Sequence, residues 1–344
     1  MNLKPFCDTM ITHVYYLQFQ RKQEDIMGIL GIVLCIVAFL LISGLAAMLI
    51  YTYPISKRVY RQQLVRTEPE KWGRVCSAPD NQEQQEMWDL GNEWAQQNRE
   101  KMTEVSLRSE GFQLFGEYYD FGCNRCVIIL PGRCESLAYS YYFAPPYQQA
   151  GFNVLVIDTR CHGKSEGIYN TIGVKERFDV IAWADYANTV LGNQEIWFHG
   201  ICIGTAAGVY TMADPNCPKC VKGLVTEGCF VSFRETFKRH MMADKRPLFP
   251  VLDLVMFHIN KNTGTNVYKD KPLSAFQKIP AHMRVLFLYG EKDIFSIPEK
   301  SQKLFDVCAA KDKQIVWFDK GGHSHLRINN TKKYDDAIIS FFKE

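Results

Sequence analysis

Net charge is the first thing this sequence lacks. Forty lysines and arginines stand against 37 acidic residues in a chain of 344, which leaves +3 at pH 7 with neutral histidines. No basic tract is present, so nothing supports a nucleic-acid partner, whose phosphates need clustered cations. Internal repeats and low-complexity segments are also missing, which excludes a solenoid and a disordered chain. The most informative absence is local. No charged residue occurs from Ile26 to Ser56, and Gly28 to Tyr51 is almost wholly apolar. A helix of that length spans the ~30 Å hydrocarbon core of a bilayer with some tilt. A buried core helix rarely stays apolar on every face for so long. A cleaved signal peptide ending near Ser43-Gly-Leu-Ala-Ala47 is the alternative, but the apolar run continues through Met48-Leu-Ile-Tyr51.

Charge on either side of the span sets an expected orientation. Arg21 and Lys22 are balanced by Glu24 and Asp25, whereas Lys57, Arg58, Arg61 and Arg66 follow the span. That bias puts the C-terminal side in the cytoplasm. Twelve cysteines agree with a reducing compartment. Met27 begins a Met-Gly-Ile-Leu-Gly run just before the span, so residues 1–27 read as an N-terminal flank, consistent with an upstream translation start. Residues 28–51 read as a single transmembrane helix. Residues 52–102 read as a connector that includes an amphipathic helix, with Met87, Leu90, Trp94 and Met102 at helical spacing. Removal of everything before about Gln82 is expected to leave a soluble, folded domain.

From Thr103 the pattern changes. Val105 to Tyr119 alternates around a turn at Glu110-Gly111, which predicts a hairpin. Cys126–Leu130, Phe152–Asp158, Val221–Thr226, Val285–Tyr289 and Gln314–Phe318 read as buried strands. Helices are expected around Tyr139–Ala150, Phe178–Leu191 and Asp335–Phe342. Such alternation implies an α/β fold with a mostly parallel sheet covered on both faces. Between about 230 and 280 the alternation breaks into two helical stretches, read as a small cap over the carboxyl edge of the sheet. Apolar residues there, Leu254 to Phe257, suit either an acyl chain or a helix packed on the domain.

Gly200-Ile-Cys-Ile-Gly204 is the most informative motif. A short buried strand, Gln194 to His199, precedes it, and the start of a helix, Thr205 to Tyr210, follows. A strand–turn–helix elbow holds its central residue in a strained conformation and needs small neighbours. Gly200 and Gly204 supply that clearance. The sulfur of Cys202 would lie at a helix N-terminus, which favours a thiolate.

The region from about Val105 to the C-terminus resembles the α/β-hydrolase superfamily, in particular its membrane-anchored, serine-aminopeptidase-like or esterase-like branch. Four further segments carry the resemblance. Leu130-Pro-Gly-Arg133 looks like the oxyanion segment after the third strand, with proline in place of histidine. Asp158-Thr-Arg-Cys-His-Gly-Lys-Ser165 looks like the family's D-x-R-G-H-G-x-S turn, with Cys161 in place of glycine. Gly290-Glu-Lys-Asp293 looks like the turn that carries the acid, and Gly321-Gly-His323 like the turn that carries the histidine. The resemblance implies a Cys202–His323–Asp293 triad and an oxyanion hole formed by the backbone N–H groups of Arg133 and Ile203. Dienelactone hydrolases and polyhydroxyalkanoate synthases are similar in using cysteine at the elbow.

Rivals stand beside each assignment. His325 competes with His323 as base, and Glu227 with Asp293 as acid; Asp293 also suits a helix cap. Arg160, His162 and His199 read as structural. Cys123-x-x-Cys126 and Cys217-x-x-Cys220 invite a zinc reading, but their strands should be separated by the elbow strand, so no metal is assigned. Cys134, Cys161 and Cys229 follow strands at the same sheet edge, either as packing residues or as thiols able to trap Cys202. The expected function is a membrane-anchored hydrolase that cleaves an ester, thioester or lactone of a small-molecule acyl substrate without a cofactor. An acyltransferase with the same acyl enzyme, or a non-catalytic binding module on this fold, is the alternative.

Overall fold

The computed structural model describes residues 4–343. The chain forms two compact units, one ending at Ile55 and the other beginning at Ser56. A continuous helix, Lys4–Leu64, runs through the first and enters the second. In the first unit its apolar side chains are exposed on all faces, Phe39 and Leu41 each at 69 %. By length and composition this helix is able to cross a membrane.

The helix does not stop at Tyr51, and the segment after it is not a loose connector. In the second unit Tyr60, Leu64 and Val65 are buried. The Arg74 guanidinium bonds Asp158 Oδ2 and Glu117 Oε1, both at 2.9 Å. Arg66 donates to the carbonyls of Ser165 and Gly163. Trp72 stacks on His162 with centroids 4.8 Å apart. A polar, basic sequence reads as solvated, whereas here its cations face carboxylates and carbonyls that folding has buried. The expected boundary near Gln82 is therefore misplaced. The next helix, Gln82–Gln97, buries Met87 and Trp94 but leaves Leu90 outside.

Eight strands form one sheet: β1 (Met102–Ser109), β2 (Phe112–Tyr119), β3 (Arg125–Leu130), β4 (Asn153–Ile157), β5 (Glu195–Ile201), β6 (Val221–Glu227), β7 (Arg284–Gly290) and β8 (Asp312–Phe318). Their order is β1-β2-β4-β3-β5-β6-β7-β8. β2 is antiparallel to β1 and β4, and the remaining pairs are parallel. β3 and β4 carry near-continuous runs of Val, Ile and Leu, because both faces are covered. Helices Glu176–Thr189, Ile203–Met212, Pro272–Phe276 and Pro298–Val307 pack together in one layer. Helices Gln82–Gln97, Pro145–Gln149 and Thr331–Phe341 belong to the other.

The helix expected over Tyr139–Ala150 is broken into Leu137–Ser140, a 3-10 turn over Tyr141–Phe143, and Pro145–Gln149. Pro145 and Pro146 lack the N–H groups that would continue it. The cap consists of helices Phe233–Ala243 and Val251–Thr263. Pro272–Phe276 packs against the helix Ile203–Met212 instead, with Phe276 fully buried on Phe287. Val255 and Met256 are also fully buried, which assigns them to packing.

Candidate active site

Register brings the carboxyl ends of the central strands level. Leu130 pairs with Gly200, Ile201 with Glu227, and Glu227 with Leu288. The loops leaving these ends meet over the sheet, the usual place for a ligand in such folds.

β5 turns at Cys202 into the helix Ile203–Met212. Cys202 has φ 52° and ψ −111°, a strained conformation for a residue with a Cβ. Its N–H donates to the Glu227 carbonyl at 2.9 Å, which fastens the elbow to β6. Thr205 reinforces it by donating to the carbonyls of Gly200 and Glu227. A Cβ on Gly204 would collide with the Leu130 carbonyl and lie 2.6 Å from the Pro131 oxygen, so only glycine lets this helix start so close to β3. Cys202 is left 8 % exposed.

His323 lies after β8 and Asp293 after β7. The structure brings them together: His323 Nδ1 and Asp293 Oδ2 are 2.7 Å apart. Asp293 Oδ1 accepts from the N–H groups of Phe295 and Ser296, each at 2.8 Å, which fixes the carboxylate plane. Nε2, the other ring nitrogen of His323, is buried without a well-formed hydrogen bond, and Cys202 is the group that acts on it. Burial alone would lower the His323 pKa, but the charges of Asp293 and Cys202 outweigh it and raise it well above the ordinary imidazole range. Burial likewise opposes the Asp293 charge, and the His323 ring with the two backbone N–H groups reverses that, so the carboxyl ends below its usual range.

The two expected oxyanion donors lie in the segments next to Cys202. Ile203 is the first residue of its helix, where N–H groups are free of intrahelical partners. Arg133 follows Gly132, whose Cβ, if it had one, would lie 3.8 Å from Cys202 Cβ. Neither N–H has a hydrogen-bond partner among the described residues. The Arg133 guanidinium is drawn aside to Gln63.

The rivals lie elsewhere. His325 Nδ1 donates to the His323 carbonyl at 2.8 Å, and Nε2 faces Gln84 Oε1 at 3.0 Å, so this ring does not reach Asp293. Glu227 is fully buried under the elbow and accepts from the Tyr334 hydroxyl at 2.5 Å. Burial pushes its pKa up to about 7. His199 is held between Tyr147 and Tyr334, and Arg160 forms a double hydrogen bond with Asp179. Cys126 begins in β3 and Cys220 immediately precedes β6, with β5 between them. Burial pushes the thiols of Cys134, Cys161 and Cys229 up, which keeps them protonated and poorly nucleophilic.

A cavity of about 220 Å³ opens on Cys202 and His323. Three of its walls were not legible in the sequence. His240, from the cap helix Phe233–Ala243, stacks on Phe295 at 3.8 Å. Burial and the neighbouring Arg133 and His323 charges lower its pKa to about 3, so it is neutral. Tyr139 donates to the Ser324 carbonyl at 3.3 Å. Glu135 follows the oxyanion segment, and its only sequence signal is that spacing from Gly132.

Residues 125–245 match the family model described as alpha/beta hydrolase fold. An esterase of Pyrococcus furiosus superposes with a TM-score of 0.59 at 20 % identity, over 72 % of this chain and 94 % of that one. An alpha-beta hydrolase of Vibrio vulnificus superposes with a TM-score of 0.58 at 18 % identity, over 84 % of this chain and 94 % of that one. The protein YqkD of Bacillus subtilis (strain 168), itself described as uncharacterized, is 22 % identical over 217 residues, covering 62 % of this chain and 70 % of its own length.

Proposed function

Since this chain has the α/β-hydrolase fold, we propose that it is a hydrolase of ester, thioester or lactone bonds that works through Cys202, His323 and Asp293. The observation that carries the reading is the His323–Asp293 contact at 2.7 Å beside a cysteine held at φ 52°. A raised His323 pKa favours a protonated imidazole next to the sulfur, poised to deliver a proton to the leaving group.

The sulfur attacks the substrate carbonyl carbon, and the carbonyl electron pair moves to oxygen. Backbone N–H groups of Arg133 and Ile203 receive that oxyanion. Collapse of the tetrahedral adduct breaks the bond to the leaving group, which takes the His323 proton. An acyl-thioenzyme and a neutral imidazole remain. His323 then removes a proton from water as it attacks the thioester, and Asp293 holds the ring in the tautomer that leaves Nε2 free to accept. Release of the acid returns the sulfur and the imidazolium to their starting state. No cofactor enters this cycle.

The apolar helix would anchor this unit to a membrane, with Lys57, Arg58, Arg61 and Arg66 favouring its cytoplasmic side. The test of the chemistry is Cys202→Ala on a small thioester or p-nitrophenyl ester. Hydrolysis should fall by orders of magnitude. Hydrolysis at the wild-type rate would remove Cys202 from the mechanism.

A further inference from the structure

A buried carboxylate is costly unless a cation or several donors offset it. Most of those near the site are offset: Asp293 faces His323, Asp158 and Glu117 face Arg74, and Asp179 faces Arg160. Glu227 lacks a cation but is sealed at 0 % exposure. Glu135 is different: it is half-buried and faces the cavity. It lines the cavity together with Cys202 and His323. Among the described residues no cationic group lies within 4.0 Å of it. Only two neutral donors reach it, both on Oε1: the Ser77 hydroxyl at 2.6 Å and Gln84 Nε2 at 3.3 Å. Among the described residues Oε2 has no hydrogen-bond partner. Desolvation by its surroundings pushes the carboxyl up to about 7, against the pull of the Ser77 hydroxyl and the more distant Arg133 charge.

Its position relative to the sulfur is set by Gly132. A Cβ built there would lie 3.8 Å from Glu135 Cγ and 3.8 Å from Cys202 Cβ, so the carboxylate and the nucleophile flank one residue. The cavity is small, about 220 Å³, against roughly 300–1,000 Å³ for common ligand pockets. Its walls include Arg133, Tyr139, His240 and His325, which do not suit a long hydrocarbon chain.

We propose that Glu135 is the recognition group of a subsite for an ammonium group on the substrate, so that the preferred substrates are short, amine-bearing esters or thioesters. The proposal rests on the hydrolase reading above. One free carboxylate oxygen suits the point charge of an ammonium better than the bidentate fork of a guanidinium. A metal ion would need further ligands, and among the described residues no group of three or more His, Cys, Asp or Glu side chains is placed to hold one. The ammonium can sit on the acyl part, as in an aminoacyl group, or on the leaving group.

Two isosteric pairs distinguish these sources, using the full chain in detergent. Alanyl and 2-methylpropanoyl thioesters of one thiol place the amine on the acyl side. The thioacetates of 2-(dimethylamino)ethanethiol and 3-methylbutanethiol place it on the leaving group. For one pair, kcat/KM should favour the amine member by about ten- to a hundredfold, the worth of a charge-assisted hydrogen bond. Glu135→Gln should bring that ratio towards one, and Glu135→Asp should restore part of it. A wild-type ratio near one for both pairs overturns the subsite, as does a ratio that survives Glu135→Gln. Binding of propylammonium chloride, followed by calorimetry on wild type and Glu135→Gln, reads the subsite without turnover. Binding that the variant weakens about tenfold, in a protein that hydrolyses none of the four thioesters, keeps the subsite and refutes the hydrolase. Absence of propylammonium binding together with equal turnover of the isosteres refutes the subsite alone.

Discussion

Asp293→Asn probes the site where geometry and electrostatics are most tightly joined. The carboxylate lies 2.7 Å from His323 Nδ1, and the two side chains are only 4 % and 12 % exposed. Removal of one partner from a buried ion pair costs about 3–5 kcal/mol if the other stays charged. An imidazole can avoid that cost by losing its proton. In the variant, burial, which lowers the His323 pKa, is opposed by Cys202 alone, so that pKa should fall and the ring should lose its proton at a lower pH than in wild type. The sign of the stability effect follows. His323 is raised in the folded protein, so its contribution is complete below the unfolded imidazole value of about 6.5 and fades as pH rises through the raised value. Asp293 is lowered, so its contribution is complete above the unfolded carboxyl value of about 3.9 and fades as pH falls through the lowered one. The stability gap between wild type and variant should be widest between about pH 4 and 6.5 and should narrow in alkali. Catalysis should fall further, because the wrong tautomer leaves Nε2 unable to accept a proton. A loss of about 10³–10⁴ in kcat is expected, in line with the same change in serine hydrolases. Denaturant melts across pH, NMR titration of His323 and thioester kinetics give the three readouts. A variant within tenfold of wild type, with an unchanged His323 titration, would refute the assignment and direct attention to Glu227.

Gly204→Ala should destabilise the protein by about 1–3 kcal/mol or prevent folding, since its Cβ meets the Leu130 carbonyl and not a movable side chain; a thermal melt at wild-type Tm would contradict this. Arg74→Met leaves Asp158 and Glu117 without their cation and should cost about 3–5 kcal/mol, less at acidic pH where the carboxyls can protonate, as measured by denaturant unfolding at pH 5 and 8. A chain beginning at Ser56 should fold, whereas one beginning at Gln82 should not, because the latter loses buried Tyr60, Leu64 and Arg74; equal proteolytic resistance of the two would disprove it. A C-terminal reporter active only in the cytoplasm should be active on the full chain, and activity of an export-only reporter would reverse the proposed topology.

Much of this protein was decided by local sequence. The run from Gly28 to Tyr51 specifies an apolar helix without reference to anything else, because no charged side chain interrupts it. β3 and β4 are legible for a related reason: strands covered on both faces are nearly continuous apolar runs. Gly200 and Gly204 mark the elbow, since only residues without a Cβ fit where the helix Ile203–Met212 meets β3. The Gly321-Gly-His323 turn pointed to His323, but the reason His325 fails was not in the sequence. Both sit in one turn, and only the chain path around Ser324, at φ 61°, aims one at Asp293 and the other at Gln84. Nor was the role of the segment after the helix. Arg66 and Arg74 look like solvated charges until folding sets Asp158 and the Gly163 carbonyl opposite them. Glu135 is the plainest case. Its residue type predicts a solvated acid, and only the tertiary structure, by placing it half-buried on the wall of the Cys202 cavity with no cation in contact, makes its charge available to a ligand.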